Sequence, residues 1–177
     1  MADDDAVYQS YCAYVAALPE DNVHRHYHDT QYGFPVESDD ELFGRLILEI
    51  NQAGLSWTTI LKKQANFKEA YDGYNIARIA AYGETEVARL LNNSGIVRNR
   101  LKIAAVIHNA KQIQRLQIEF GSFKQWLAIQ GMMELSQWVL LFKQTFKFTG
   151  GEITREFLVS TGYLPGAHIQ DCPIRKS

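Results

Sequence analysis

The sequence predicts an all-α fold, and three observations carry that prediction. Apolar residues recur at helical spacing through most of the chain, and no stretch alternates convincingly with a period of two. Proline occurs only at positions 19, 35, 165 and 173, so residues 36–164 are free of it. Glycines and capping residues punctuate that proline-free stretch about once per helix.

Each element has its own signal. Ser38-Asp39-Asp40-Glu41 has the spacing of a capping box and opens a helix. On a helical wheel Leu42, Phe43, Leu46, Ile47, Ile50 and Ala53 share one arc, and Gly54 ends the run. Ser56 caps the next helix, which runs through Trp57, Ile60 and Leu61 to Tyr71. Short helices follow from about Ile76 and from about Thr85 to Leu91. The turn Asn92-Asn93-Ser94-Gly95 leads through Ile96-Val97 into a long helix from about Arg98 to Ile118. Gly121-Ser122 opens a helix carrying Phe123, Trp126, Leu127 and Ile129. Leu135, Val139, Phe142 and Phe146 mark another, and a last helix covers about Thr154–Thr161.

The 177 residues fit a single helical domain, 1–177. With 46% hydrophobic and 21% charged residues, disordered and collagen-like classes are excluded. Apolar runs such as Ile103–Ile107 fall far short of the roughly 18–20 residues that span a bilayer, so no membrane partner is expected. The opening Met1-Ala2-Asp3-Asp4-Asp5 is acidic where a secretory signal is basic, which predicts a cytoplasmic protein. A net charge of −2 and a pI near 6.2 argue against a globally basic nucleic-acid coat but leave room for a local basic face. In a reducing compartment the two cysteines, Cys12 and Cys172, are thiols or metal ligands rather than a disulfide.

That local face lies between Val87 and Ile118, which holds Arg89, Arg98, Arg100, Lys102, Lys111 and Arg115 and no acid. Its centre reads helix, then Ser94-Gly95-Ile96-Val97, then helix. A glycine-bearing hairpin of this kind can aim backbone N–H groups at a phosphate, so the segment from about 85 to 118 reads as a helix-hairpin-helix DNA-binding element. The competing reading is a capped turn between two core helices with a solvated basic face. Glu49 sits at the rim of the apolar arc, where a carboxylate either enters a pocket or pairs with Arg45 at the surface. His168 and Cys172 are i,i+4, and with Cys12 and His28 they complete a Cys2His2 set suited to structural zinc. His24, His26 and His28 alternate, so spacing does not choose among them. Tyr14, Tyr27, Tyr32 and Trp57 flank these residues; such rings form cores, and they also hold flipped bases by stacking.

Five segments resemble the type I 3-methyladenine DNA glycosylases. Tyr27-His28-Asp29-Thr30-Gln31-Tyr32-Gly33 is similar to their YHDxxWG segment. The run from Leu48 through Gly54-Leu55-Ser56-Trp57 to Lys62-Lys63 is similar to LExxxAGLSWxxxLKK. Gly95-Ile96-Val97-Arg98-Asn99-Arg100 stands at the family's hairpin, and Phe146-Lys147-Phe148-Thr149-Gly150 and His168-x3-Cys172 also match. The resemblance runs from about residue 12 to 172. It implies a monofunctional base-excision glycosylase acting on 3-methyladenine in alkylated double-stranded DNA, working as a monomer. Glu49 and Tyr27 would then be catalytic, with Trp57, Tyr14 and Tyr32 completing the base site. Gln52, Gly54, Leu55, Ser94, Gly95, Val97, Arg98 and Arg100 would contact DNA, with Leu55 as the wedge in the gap left by the flipped nucleotide. Cys12, His28, His168 and Cys172 would bind structural zinc and join the two ends of the chain. The chain departs from the family at Tyr14 and Tyr32, where tryptophan is usual, and at Ile50 and Asn51. These departures keep open two alternatives: a non-catalytic helix-hairpin-helix paralogue that binds DNA, and a helical interaction protein unrelated to DNA.

Overall fold

The computed structural model describes residues 8–174, and among them there are helices and no strands. In chain order they are α1 (Tyr11–Ala16), α2 (Val23–Thr30), α3 (Asp39–Gln52), α4 (Trp57–Lys62) and α5 (Gln64–Ala70). A 3-10 turn, Asp72–Tyr74, precedes α6 (Ile76–Ala80), α7 (Glu84–Leu91) and α8 (Arg100–Phe120). α9 (Phe123–Ile129), α10 (Leu135–Thr145) and α11 (Gly151–Ser160) complete the bundle. The acidic opening Met1–Asp5 lies outside the described residues.

α3 is the hub. It packs against α4, α5, α6, α8, α9 and α11, and every residue from Leu42 to Asn51 is buried. One apolar arc is therefore too narrow a description of this helix: Arg45, Glu49 and Asn51 are buried with the hydrophobic residues. Ser38 caps α3 by accepting from the Glu41 N–H, as the capping box predicts. Asp39 reaches across to α9, accepting from the N–H groups of Phe123 at 2.8 Å and Lys124 at 2.9 Å. Gly44 makes room for the Tyr74 ring, which a Cβ there would meet at 2.2 Å.

Two expectations need correction, and two helices come in addition. The helix predicted from Ser56 to Tyr71 is two helices, because Lys63 (φ −100°, ψ 2°) turns the chain between α4 and α5. α1 and α2 had no clear periodic signal; they are short, and Ser10 and Asn22 cap them. The long helix starts at Arg100 rather than Arg98, because the Asn99 carboxamide accepts from the N–H groups of Leu101 and Lys102.

Candidate functional site

One cleft collects residues from five parts of the chain. α2 supplies Tyr27, the turn after it Tyr32, α3 Glu49 and Gln52, α4 its first residue Trp57, and α11 Glu156. The free space at its floor is about 10 Å³, close to the room one water needs. The Tyr27 ring stands edge-on to Trp57 at 5.3 Å and tilted to Tyr32 at 5.7 Å. The Trp57 indole N–H is buried without a partner, the kind of orphan donor that a bound ligand can satisfy. Tyr14 does not line the cleft: its ring packs on Tyr8, Tyr11 and His24, and Tyr11 stands between it and Tyr32.

Glu49 is 4% exposed. Loss of solvent, reinforced by the nearby Glu156 carboxylate and opposed by Arg45, pushes its carboxyl from the ordinary 4.5 up to about 8. The surface pair with Arg45 is not formed; both side chains are buried. Arg45 Nη2 instead donates to the Tyr27 hydroxyl at 3.3 Å and to the carbonyls of Gln31 and Ser160, both at 3.1 Å. Its guanidinium also lies 5.2 Å from the Tyr27 ring centre. Burial pushes the Tyr27 hydroxyl up to about 12, so it keeps its proton at neutral pH.

Beside the cleft, α3 and α4 are joined by a tight turn. Gly54 adopts φ +80° with open space where a Cβ would stand, and Leu55 next to it is 39% exposed. Gln52 Nε2 donates back to the Leu55 carbonyl at 3.0 Å. Lys102 ties this turn to the hairpin: its Nζ donates to the carbonyls of Asn51 at 2.9 Å and Ala53 at 2.6 Å. Lys102 is therefore buried and is no part of a solvated basic face. Arg89 is likewise engaged, with the Ala70 carbonyl and Asp72. Arg98, Arg100, Lys111 and Arg115 remain exposed. The Gly95 N–H is not aimed outward, because the Asn93 carboxamide accepts it at 2.8 Å. Gly95 packs tightly on Asn66, whose Nδ2 donates to its carbonyl.

The third cluster joins the ends of the described chain. Cys12, His28, His168 and Cys172 bring four ligand atoms within 4.8 Å of one another. His28 Nε2 lies 3.3 Å from Cys12 Sγ, 3.7 Å from Cys172 Sγ and 3.2 Å from His168 Nδ1. The far nitrogens are oriented from outside: His28 Nδ1 by Asp29 at 2.7 Å, His168 Nε2 by the Tyr32 carbonyl at 2.7 Å. Of the alternating histidines, His24 bonds Tyr11 and Thr58 instead, and His26 is exposed.

Sequence reasoning missed three residues here. From the sequence, Arg45 reads only as a surface partner of Glu49, and Lys102 only as a basic residue near the hairpin. Glu156 was not singled out, although it shares an arc of α11 with Ile153, Phe157 and Ser160. A carboxylate on the apolar side of a helix was the available signal.

The model of the family described as methyladenine glycosylase matches residues 17–139. DNA-3-methyladenine glycosylase 1 of Escherichia coli (strain K12) is 30% identical, over 91% of this chain and 94% of that protein. Among solved structures, 3-methyladenine DNA glycosylase I from Staphylococcus aureus is 30% identical with a TM-score of 0.81, covering 90% of this chain and 94% of that one. A variant of 3-methyladenine DNA glycosylase I in complex with 3-methyladenine is 29% identical with a TM-score of 0.82, covering 94% and 98%.

Proposed function

The chain belongs to the methyladenine glycosylase family, and from that membership we infer that it is a DNA-3-methyladenine glycosylase, hydrolysing the N-glycosidic bond of 3-methyladenine in alkylated DNA. On this chain's own residues, the observation that carries the reading is the cleft: a buried carboxyl walled by aromatic rings beside an exposed leucine on a tight turn. Its test is release of 3-methyladenine from methylated duplex DNA.

A base alkylated at N3 is cationic in the duplex and leaves as a neutral molecule. Its departure needs little acid catalysis, so the protein's work is extrusion, holding and recognition. With room for about one water at its floor, the cleft opens by movement of its aromatic walls to admit the base. Glu49 is neutral in the free protein at pH 7. An entering cation offsets the desolvation of the carboxylate, so the proton leaves and the anion accepts the hydrogen bonds of the damaged base. Tyr27 and Trp57 stack on that base, and Tyr32 closes its edge. Tyr14 supports the wall through Tyr11 and Tyr32.

Gly54 lets Leu55 turn outward as the wedge, and Gln52 holds that turn closed. At the hairpin Gly95 gives a close turn while Asn93 occupies its N–H, so the backbone contacts fall to the Ser94–Val97 stretch with the charges of Arg98 and Arg100. No acid lies between Glu86 and Glu119, and the Lys102 ammonium is committed to two carbonyls. Both features suit a monofunctional hydrolase rather than a lyase.

Cys12, His28, His168 and Cys172 hold a structural zinc in this reading. Zinc–nitrogen bonds of about 2.0–2.1 Å and zinc–sulfur bonds of about 2.3 Å in a tetrahedron require ligand separations of roughly 3.3–3.8 Å. The five hydrogen-bond-range separations in the cluster run from 3.2 to 3.8 Å. Bound there, the ion cross-links the two ends of the chain and leaves no position for a reacting water. The protein acts on duplex DNA as a monomer. Among the described residues no helix is long and apolar enough to cross a membrane.

A further inference from the structure

The cleft holds two carboxyl groups, and the second has no counterpart in the segments that carry the family resemblance. Glu156 is 7% exposed and lies on α11, whose residues from Glu156 to Ser160 are buried. α11 packs directly on α3, and Glu156 lines the same cleft as Glu49, Tyr27, Tyr32 and Trp57. Burying a carboxylate costs stability unless its charge and hydrogen bonds are compensated. Such a placement at a cleft makes Glu156 a candidate for function.

We propose that Glu156 is a second carboxylate of the base pocket, acting on the bound base together with Glu49, and that the pair selects cationic bases over neutral ones of the same shape. The proposal rests on the glycosylase reading and deepens it. Two carboxylates on one small cleft do not both ionise readily while it is empty, so Glu49 retains a proton beside Glu156. A neutral base finds that proton in place and gains no charge interaction. A cationic base displaces it to solvent and meets two anions. The substrates are accordingly purines carrying positive charge from ring-nitrogen alkylation, and unmodified bases are excluded by charge as well as shape.

Charges of both signs surround the pair, and Arg155 offsets part of the Glu156 charge. Arg155 forms an ion pair with Glu156 from the same helix, and Glu152 lies one turn earlier. From α3, Arg45 faces Tyr27 and Glu49; from the N-terminal side, Tyr8, Tyr11 and Tyr32 border the adjoining groove. Glu156 is the largest charge effect on both Glu49 and Tyr32, raising each.

The experiment is the pH profile of kcat/KM for 3-methyladenine release from methylated duplex DNA, for wild type, Glu156→Gln and Glu156→Asp. Wild type is expected to rise with pH to a limb near 8, the value to which Glu49 is pushed. Glu156→Gln moves that limb down by about one unit or more, and lowers the plateau above it about fivefold or more. Glu156→Asp keeps the charge and the limb, and shows that the position tolerates change. Affinity for duplex containing 3-deaza-3-methyladenine, which has the same outline without the charge, is unaltered by Glu156→Gln. An unmoved limb with a wild-type plateau in Glu156→Gln overturns the proposal and leaves Glu156 as the buried partner of Arg155. A wild type that releases no 3-methyladenine at any pH instead removes the glycosylase reading, and this proposal with it.

Discussion

Glu49 is kept at the cost of stability. Its carboxyl holds a proton up to about pH 8 when folded, but ionises near 4.5 once unfolded. The folded state therefore binds more protons through that window, and stability falls as pH rises from about 4.5 to about 8. The loss is ~1.4 kcal/mol for each unit of pH across the window. Glu49→Gln should consequently raise the unfolding midpoint at pH 8 and leave it little changed at pH 4, as thermal melts at the two pH values would show. Equal midpoints at pH 8 would mean the carboxyl is not desolvated. Burial also penalises the charge of Lys102, pulling its ammonium below the ordinary lysine range, but that ammonium satisfies two carbonyls at the end of α3. Lys102→Met should destabilise the protein by about 1–3 kcal/mol, read by denaturant unfolding, because those carbonyls lose their donor. Much of this was legible only by residue type. A wheel puts Glu49 at a border, yet the sequence has no means of stating that α3 is enclosed on all sides. Arg45 illustrates the same limit: spacing pairs it with Glu49, while packing turns it toward Tyr27.

At the scale of elements, helices with strong local signals were readable, and their joins were less so. Ser38 and Ser122 cap the helices they were expected to open. The break at Lys63 carries neither glycine nor proline, and it follows from docking: Lys63 Nζ and Asn66 Nδ2 both reach carbonyls of the hairpin. α1 and α2 are held by contacts with distant parts of the chain, which leave no periodic trace in eight residues or fewer. The hairpin itself was legible, although its glycine serves tight packing and not an outward N–H. Its proposed role in holding DNA can be checked by salt. Arg98→Ala should weaken binding to all duplexes alike, and reduce the slope of log affinity against log salt by about one. An unchanged slope would place Arg98 away from the phosphates.

Over the whole molecule, the two ends of the described chain meet at one cluster, which itself rests against the cleft. Tyr32 spans the two sites, with its ring in the cleft and its carbonyl on His168 Nε2. The ligand pairs stand 140 residues apart or more in places, so spacing alone could suggest the set without selecting His28 over His24. With zinc held at the cluster as proposed, a chelator should lower the melting temperature by roughly 5–10 °C, equivalent to a few kcal/mol in a chain of this size. Protein purified metal-free from zinc-replete medium, and equally stable with chelator, would contradict a zinc staple. If the buried Glu49 carboxyl recognises the alkylated base, release of that base depends on its charge. On methylated duplex DNA the wild type should free 3-methyladenine, and Glu49→Gln should do so roughly 10- to 150-fold more slowly, as loss of a charge-assisted hydrogen bond of about 1.5–3 kcal/mol requires. Its affinity for undamaged DNA should be unchanged. Release by Glu49→Gln at the wild-type rate would mean that the Glu49 carboxylate does not recognise the base.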